Sequence, residues 1–263
     1  MIIDFHTHAF PDAVAPRAMD KLSFVSGGLI PYTDGTAEGL LSRMREDGVD
    51  LSVVLSIATN PHQQRAVNDF AAALNEREGL VAFGSVHPDA PDAMEELERI
   101  ADMGLRGVKL HPDYQGFSVD EDRMIPLYKN ISSLGLITVF HAGVDYGFSP
   151  PYGATPEKMA RALRHIDSPV VAAHLGGVGC YTDVLRYLCG ENLYFDTAFT
   201  FSMLPKYYAE KIIEAHGTDN ILFGTDCPWH TAALERRLIE TLSLSDEDKE
   251  KIYSGNAKRL LGI

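Results

Sequence analysis

Eight short apolar runs rich in β-branched residues recur along the chain, each ending in small, polar or turn-forming residues. They cover residues 2–8, 50–58, 80–87, 105–111, 136–142, 170–175, 193–198 and 220–226. After the first, their starts fall 23 to 34 residues apart, which is the length of one βα unit. Such units in unbroken succession predict an α/β fold, a (β/α)8 TIM barrel. The length of 263 residues suits one barrel held as a single domain over residues 1–263.

Between the runs the apolar period becomes helical. Residues 62–77 place Val67, Phe70, Ala71 and Leu74 in a stripe suited to packing on a sheet. Residues 91–103 begin at Pro91 and put Asp92, Glu95 and Glu96 near a helix N-terminus, where the macrodipole favours negative charge. Residues 246–261 follow Ser245 as an N-cap and are expected as the final helix. The first connection, residues 9–35, carries Pro11, Pro16, Gly27, Gly28, Pro31 and Gly35. It reads as a long loop leaving the C-terminal end of strand 1, hence a lid or pocket wall.

Charge narrows the partners. Lys plus Arg is 23 against 37 for Asp plus Glu, a net charge of −14 with no basic block, which argues against nucleic acid. No run of about 18 apolar residues exists, so no membrane span is expected. The first strand starts at residue 2 with Asp4 inside it, unlike a signal peptide, so the expected compartment is cytoplasmic. Cys180, Cys189 and Cys227 form no Cys-x-x-Cys pair and read as reduced thiols.

Function is carried by the polar residues at strand ends. His6 and His8 alternate on strand 1, so their side chains share a face about 7 Å apart, close enough for one metal ion. His111 ends strand 4, His141 strand 5, His174 strand 6 and Asp226 strand 8. In a parallel barrel all these ends meet around one mouth. Three imidazoles and one carboxylate suit a catalytic divalent ion, zinc first and manganese second, with a position left for water. His174 is placed to move a proton, and Asp226 can share that work. Trp229 and His230 are expected to form one wall of the pocket.

Specific stretches then carry a resemblance. Asp4-Phe5-His6-Thr7-His8, Val139-Phe140-His141-Ala142-Gly143, Val171-Ala172-Ala173-His174-Leu175-Gly176-Gly177, Phe223-Gly224-Thr225-Asp226-Cys227-Pro228 and Gly255-Asn256-Ala257-Lys258-Arg259-Leu260-Leu261 resemble the amidohydrolase superfamily. Within it, the similarity is to the amidohydrolase-related (amidohydrolase 2) branch that includes aminocarboxymuconate semialdehyde decarboxylase. The resemblance spans essentially the whole chain. It implies a (β/α)8 barrel with His6, His8, His141 and Asp226 as ligands to a single metal. It further implies that His174 activates water on that metal or contacts substrate; related barrels are commonly homodimers, and the sequence leaves the oligomeric state of this chain open.

Strand 4 adds Lys109, which alternates with Val108 and Leu110 as His111 does, so both can face the barrel interior. Lys109 is expected as a positive charge for an anionic substrate, or, if carboxylated, as the bridge to a second metal. His111 is expected to line the substrate pocket. The leading expectation is a metal-dependent hydrolase that turns activated water on an amide, ester or lactone of a small carboxylated substrate. The alternative is a non-oxidative decarboxylase, whose substrate would want a guanidinium from Arg17, Arg65 or Arg123. Hydroxybenzoate decarboxylases of this branch tend to carry Glu-x-His on strand 1, where this chain has His-x-His. Less favoured are a histidinol-phosphatase-like phosphoesterase, which needs more metal ligands, and a non-catalytic metal-binding protein.

Overall fold

The computed structural model describes residues 1–263. The strands are β1 (Ile3–Thr7), β2 (Leu51–Leu55), β3 (Leu80–Phe83), β4 (Gly107–Leu110), β5 (Ile137–Phe140), β6 (Val170–Ala172), β7 (Tyr194–Asp196) and β8 (Ile221–Leu222). Each pairs in parallel with the next within β1 to β3 and within β4 to β8. Two seams join these groups. Gly84 N–H donates to Gly107 O and Lys109 N–H to Gly84 O between β3 and β4. Between β8 and β1, Phe5 N–H donates to Phe223 O, Asp226 N–H to His6 O and His8 N–H to Cys227 O. The sheet therefore closes, and the (β/α)8 barrel is present.

Alternation along the strands divides the core in two. Phe5, Val53, Leu55, Phe83, Val139 and Leu222 plug the barrel interior, with Ala257 and Leu261 of the last helix closing its base. Val54, Val108, Leu110, Phe140 and Phe223 face outward against helix residues such as Leu97, Ile100 and Leu127. Lys109 belongs to the inner set and is 1% exposed. No helix is long and apolar enough to cross a membrane.

Several elements differ from expectation for local reasons. The first connection contains a helix, α1 (Ala15–Val25), with Pro16 in its first turn, where proline is tolerated. The next helix, α2 (Ala37–Asp47), leads into β2. In α3 (Gln64–Asn75) the buried edge runs through Gln64, Asn68, Ala71 and Leu74, leaving Val67 and Phe70 half-buried. Asn68 takes the inner position because Nδ2 donates to Ser85 O at 2.9 Å and Glu96 Oε1 at 2.7 Å. The expected helix 91–103 is α4 (Ala93–Asp102), with Glu95 and Glu96 in its first turn. The expected final helix breaks into Asp246–Glu250 and Asn256–Leu261 around a wider π turn at Lys251–Gly255. That turn frees Ile252 O to accept from Phe223 N–H at the end of β8, at 3.0 Å.

Candidate metal centre

Strands β6 and β8 are shorter than their apolar runs because the chain turns out of the strand conformation as it reaches the site. His174, Leu175 and Asp226 have φ values of 58°, 53° and 66°. For non-glycine residues this costs roughly 1–3 kcal/mol each and persists only where surrounding bonds hold it. Those bonds are present: His174 N–H donates to Asp196 Oδ1 at 2.8 Å, and Asp226 N–H to His6 O at 2.8 Å. Asp4 pins the same end of β8, accepting from Thr225 Oγ1 at 2.6 Å and Thr225 N–H at 3.0 Å.

Hydrogen bonding assigns the protons on the imidazoles. His6 Nδ1 lies 2.8 Å from Asp196 Oδ2, and His8 Nδ1 lies 2.8 Å from Leu55 O. Both partners accept, so both rings carry their proton on Nδ1 and present a bare Nε2. These Nε2 atoms stand 3.4 Å and 3.1 Å from Asp226 Oδ1. Three acceptors facing one another require a cation among them. Burial holds the His6 imidazole well below its ordinary range, with Lys109 adding to the effect. A proton on His6 is therefore disfavoured there, and the donor set suits a divalent ion. Burial works to raise the Asp226 carboxyl, but His8, His6 and His174 outweigh it and hold it below the usual carboxylate range.

His141 and His174 continue the same logic. His174 Nδ1 lies 2.8 Å from Ala198 O, and its Nε2 lies 3.1 Å from His141 Nδ1. The proton shared between the rings therefore sits on His141, whose own Nε2 is buried with no partner. Burial, with His111 and His174 beside it, keeps His141 neutral, well below its ordinary range. His6, His8 and Asp226 each place a ligand atom within 4.8 Å of the others. His141 stands outside this trio and groups instead with His111 and Asp145. Its ring stacks on His111 with centroids 4.1 Å apart and planes 13° from parallel.

Above these groups opens a cavity of about 170 Å³, with 11 of its 21 lining residues hydrophobic. Helix α1 and the turn after it supply Leu22, Val25 and Leu29, so the first connection does form a pocket wall. His6, His8, Lys109, His111, His141, His174, Asp226 and Trp229 all line it. Lys109 is the only lysine or arginine among them, and its Nζ is buried without a hydrogen-bond partner. Burial pushes its pKa down to about 8, against the carboxylates of Asp196 and Asp226.

His230 departs from expectation. It does not line the cavity but packs behind it, its ring 5.6 Å from that of Phe199 and its Nδ1 2.5 Å from Glu235 Oε1. Burial pushes the Glu235 carboxyl up to about 7, against His230. None of Arg17, Arg65 and Arg123 reaches the cavity: all three are exposed, and Arg123 pairs with Asp89 and Glu121.

The family model for amidohydrolases matches residues 3–263. The chain belongs to the amidohydrolase family. Its fold agrees with solved structures of low sequence identity. An uncharacterised TIM-barrel protein from Bordetella bronchiseptica is 23% identical, with a TM-score of 0.79 over 99% of this chain and 98% of the other. A 2,6-dihydroxybenzoate decarboxylase from Rhizobium is 18% identical, with a TM-score of 0.73 over 99% and 98%. A dihydroxybenzoic acid decarboxylase from a Polaromonas species, solved with manganese and the inhibitor 2-nitroresorcinol, is 17% identical, with a TM-score of 0.72 over 99% and 96%. No curated protein matches the sequence.

In this amidohydrolase, two carboxylates that sequence reasoning passed over complete the site. Asp196, fully buried on β7, orients His6 through Oδ2 and holds the His174 and Ala198 N–H groups through Oδ1. An aspartate ending an otherwise apolar strand was the available signal. Asp145, on the loop after β5, lies 3.2 Å from His111 Nε2.

Proposed function

We propose that this amidohydrolase is a metal-dependent, non-oxidative decarboxylase of a small aromatic carboxylate. The observation that carries the reading is Lys109: a buried ammonium without a partner beneath largely apolar walls, beside a cluster that demands a cation. A carboxylate placed there gains a charge-assisted hydrogen bond in a cavity that otherwise favours neutral species, and leaving as CO2 removes its charge. The structural neighbours named as dihydroxybenzoate decarboxylases support the same choice.

His6, His8 and Asp226 would hold the ion, with His141 Nε2 as the fourth donor. Imidazole nitrogens with one carboxylate suit zinc, and manganese occupies the Polaromonas neighbour. When bound, the ion supplies Lewis acidity at the mouth of the barrel. Lys109 orients the carboxylate, and its ammonium is the form that Asp196 and Asp226 favour. A carboxylated Lys109 would instead add a third anion beside them. His174 moves the proton: its Nδ1 is committed to Ala198 O, so Nε2, which accepts from His141 Nδ1–H in this structure, is the atom that would take a proton from water and pass it on. The carbon bearing the carboxylate takes that proton as the carbon–carbon bond breaks and CO2 departs.

The intact His6-Thr7-His8 strand supports hydrolysis of an amide, ester or lactone as the second reading. One assay separates them. Protein supplied with zinc or manganese is incubated with hydroxybenzoates and with aryl esters, lactones and amides, and both CO2 and released acid are followed. CO2 with the corresponding phenol is expected; acid release without CO2 would move the assignment to hydrolysis.

Lys109 also fixes a pH dependence. Its folded-state value, about 8, lies below the ordinary lysine value of 10.5, so the ammonium is present below about 8 and lost above it. Benzoate affinity is therefore expected to hold steady on the acid side of that value and fall as pH rises through it. Calorimetric titration across the range checks this, and an affinity that rose with pH would contradict it.

A further inference from the structure

The loop after β5 runs past the turn after β6, where Val144 N–H donates to Val178 O at 2.8 Å. Gly143 permits this approach: at φ 91°, a Cβ there would lie 2.3 Å from Val178 O. The loop places Asp145 in the cavity wall with its side chain 15% exposed. One carboxylate oxygen is fixed by a hydrogen bond. Oδ1 accepts from Gly147 N–H at 2.7 Å, and Oδ2 faces His111 Nε2 at 3.2 Å. His111 Nδ1 accepts from Tyr114 N–H at 3.4 Å, which leaves its proton on Nε2.

No lysine or arginine pairs with this carboxylate. The carboxylates acting on Lys109 are Asp196 and Asp226, so Asp145 stands apart from the group that would take the substrate carboxylate. A carboxylate offers about four acceptor positions, and Asp145 uses one of them, for Gly147 N–H. A second ion is the other candidate, since His111, His141 and Asp145 lie within ligand distance of one another. The parallel stacking of the two rings opposes it, because in-plane lone pairs on stacked imidazoles run side by side rather than towards one point.

We infer that Asp145 is a specificity-determining residue that accepts a hydrogen bond from a hydroxyl or amino substituent on the substrate, away from its carboxylate. The inference rests on the reading of the cavity as a site for aromatic carboxylates. A substrate without that donor leaves a desolvated carboxylate short of partners, and such losses discriminate more strongly than a missing apolar contact.

The test is calorimetric titration of zinc-loaded wild type and Asp145→Asn with benzoate, meta- and para-hydroxybenzoate, para-aminobenzoate and para-methoxybenzoate. Melting temperature and metal content are recorded on the same samples. The amide oxygen of the variant can still accept from Gly147 N–H, so the loop keeps its anchor. In wild type a hydroxyl or amino ligand is expected to bind roughly tenfold tighter than benzoate or the methoxy compound, a gap that closes to about twofold in the variant. Metal content stays unchanged, and benzoate supplies the baseline against which the gap is read within each protein. Equal affinities in wild type, or a gap that persists in Asp145→Asn, would overturn the assignment while leaving the aromatic carboxylate reading in place. Loss of a second ion from the variant would give Asp145 to metal instead. No binding of any benzoate to wild type would overturn the underlying reading and the assignment together.

Discussion

Asp196→Asn is expected to weaken divalent-ion affinity roughly 10- to 100-fold and to lower turnover at limiting metal in parallel. The carboxylate accepts from three donors on two oxygens: the His6 ring, His174 N–H and Ala198 N–H. An amide offers one acceptor oxygen and turns an NH2 towards at least one of those donors. If the amide nitrogen faces His6, the ring must move its proton to Nε2, which masks the atom facing Asp226. If it faces His174, the left-handed turn at that residue loses its anchor. Competition with a chromophoric chelator measures the affinity, and excess metal should restore part of the activity. Wild-type affinity in the variant would show that His6 is held by something other than Asp196.

Lys109→Met is expected to separate stability from function. The substitution keeps the length of a side chain that is 1% exposed and removes an amine that has no partner. Folding stability should be unchanged or higher by roughly 1 kcal/mol, since a buried charge without a partner is costly. Affinity for a carboxylated substrate should fall roughly 100-fold, the loss of one charge-assisted hydrogen bond in a dry site. Denaturant unfolding and a comparison of KM with kcat check the two halves. A variant that is stable and binds benzoate as tightly as wild type would remove Lys109 from the substrate site.

The parts of the molecule legible in sequence were those set by short-range periodicity. The alternation that puts His6 and His8 at one strand end, or Lys109 and His111 inside the barrel, survives folding because each strand has one inner and one outer face. What escaped depends on partners remote in the chain. Asp196 meets His6 across 190 positions, and no local pattern marks that pairing. His216, at the end of the helix Lys206–His216, stacks on Phe195 at 3.9 Å and lies with Nε2 3.0 Å from Leu193 O, so it is buried. His230 follows Trp229 into the cavity region in sequence, yet Glu235 in the first turn of the next helix draws it behind Phe199. An imidazole can face solvent or core, and the choice lies with a partner the sequence does not place.

Bare imidazole nitrogens gather around Asp226 in an arrangement that would hold one divalent ion. Binding of that ion is tested most directly by metal content per chain, measured by plasma mass spectrometry on protein purified without chelator and then offered zinc or manganese, for wild type and Asp226→Ala. About one ion per chain in wild type, lost from a variant that still melts cooperatively, is the predicted result. A wild-type protein that takes up no ion, or an Asp226→Ala variant that retains it in full, would contradict the account.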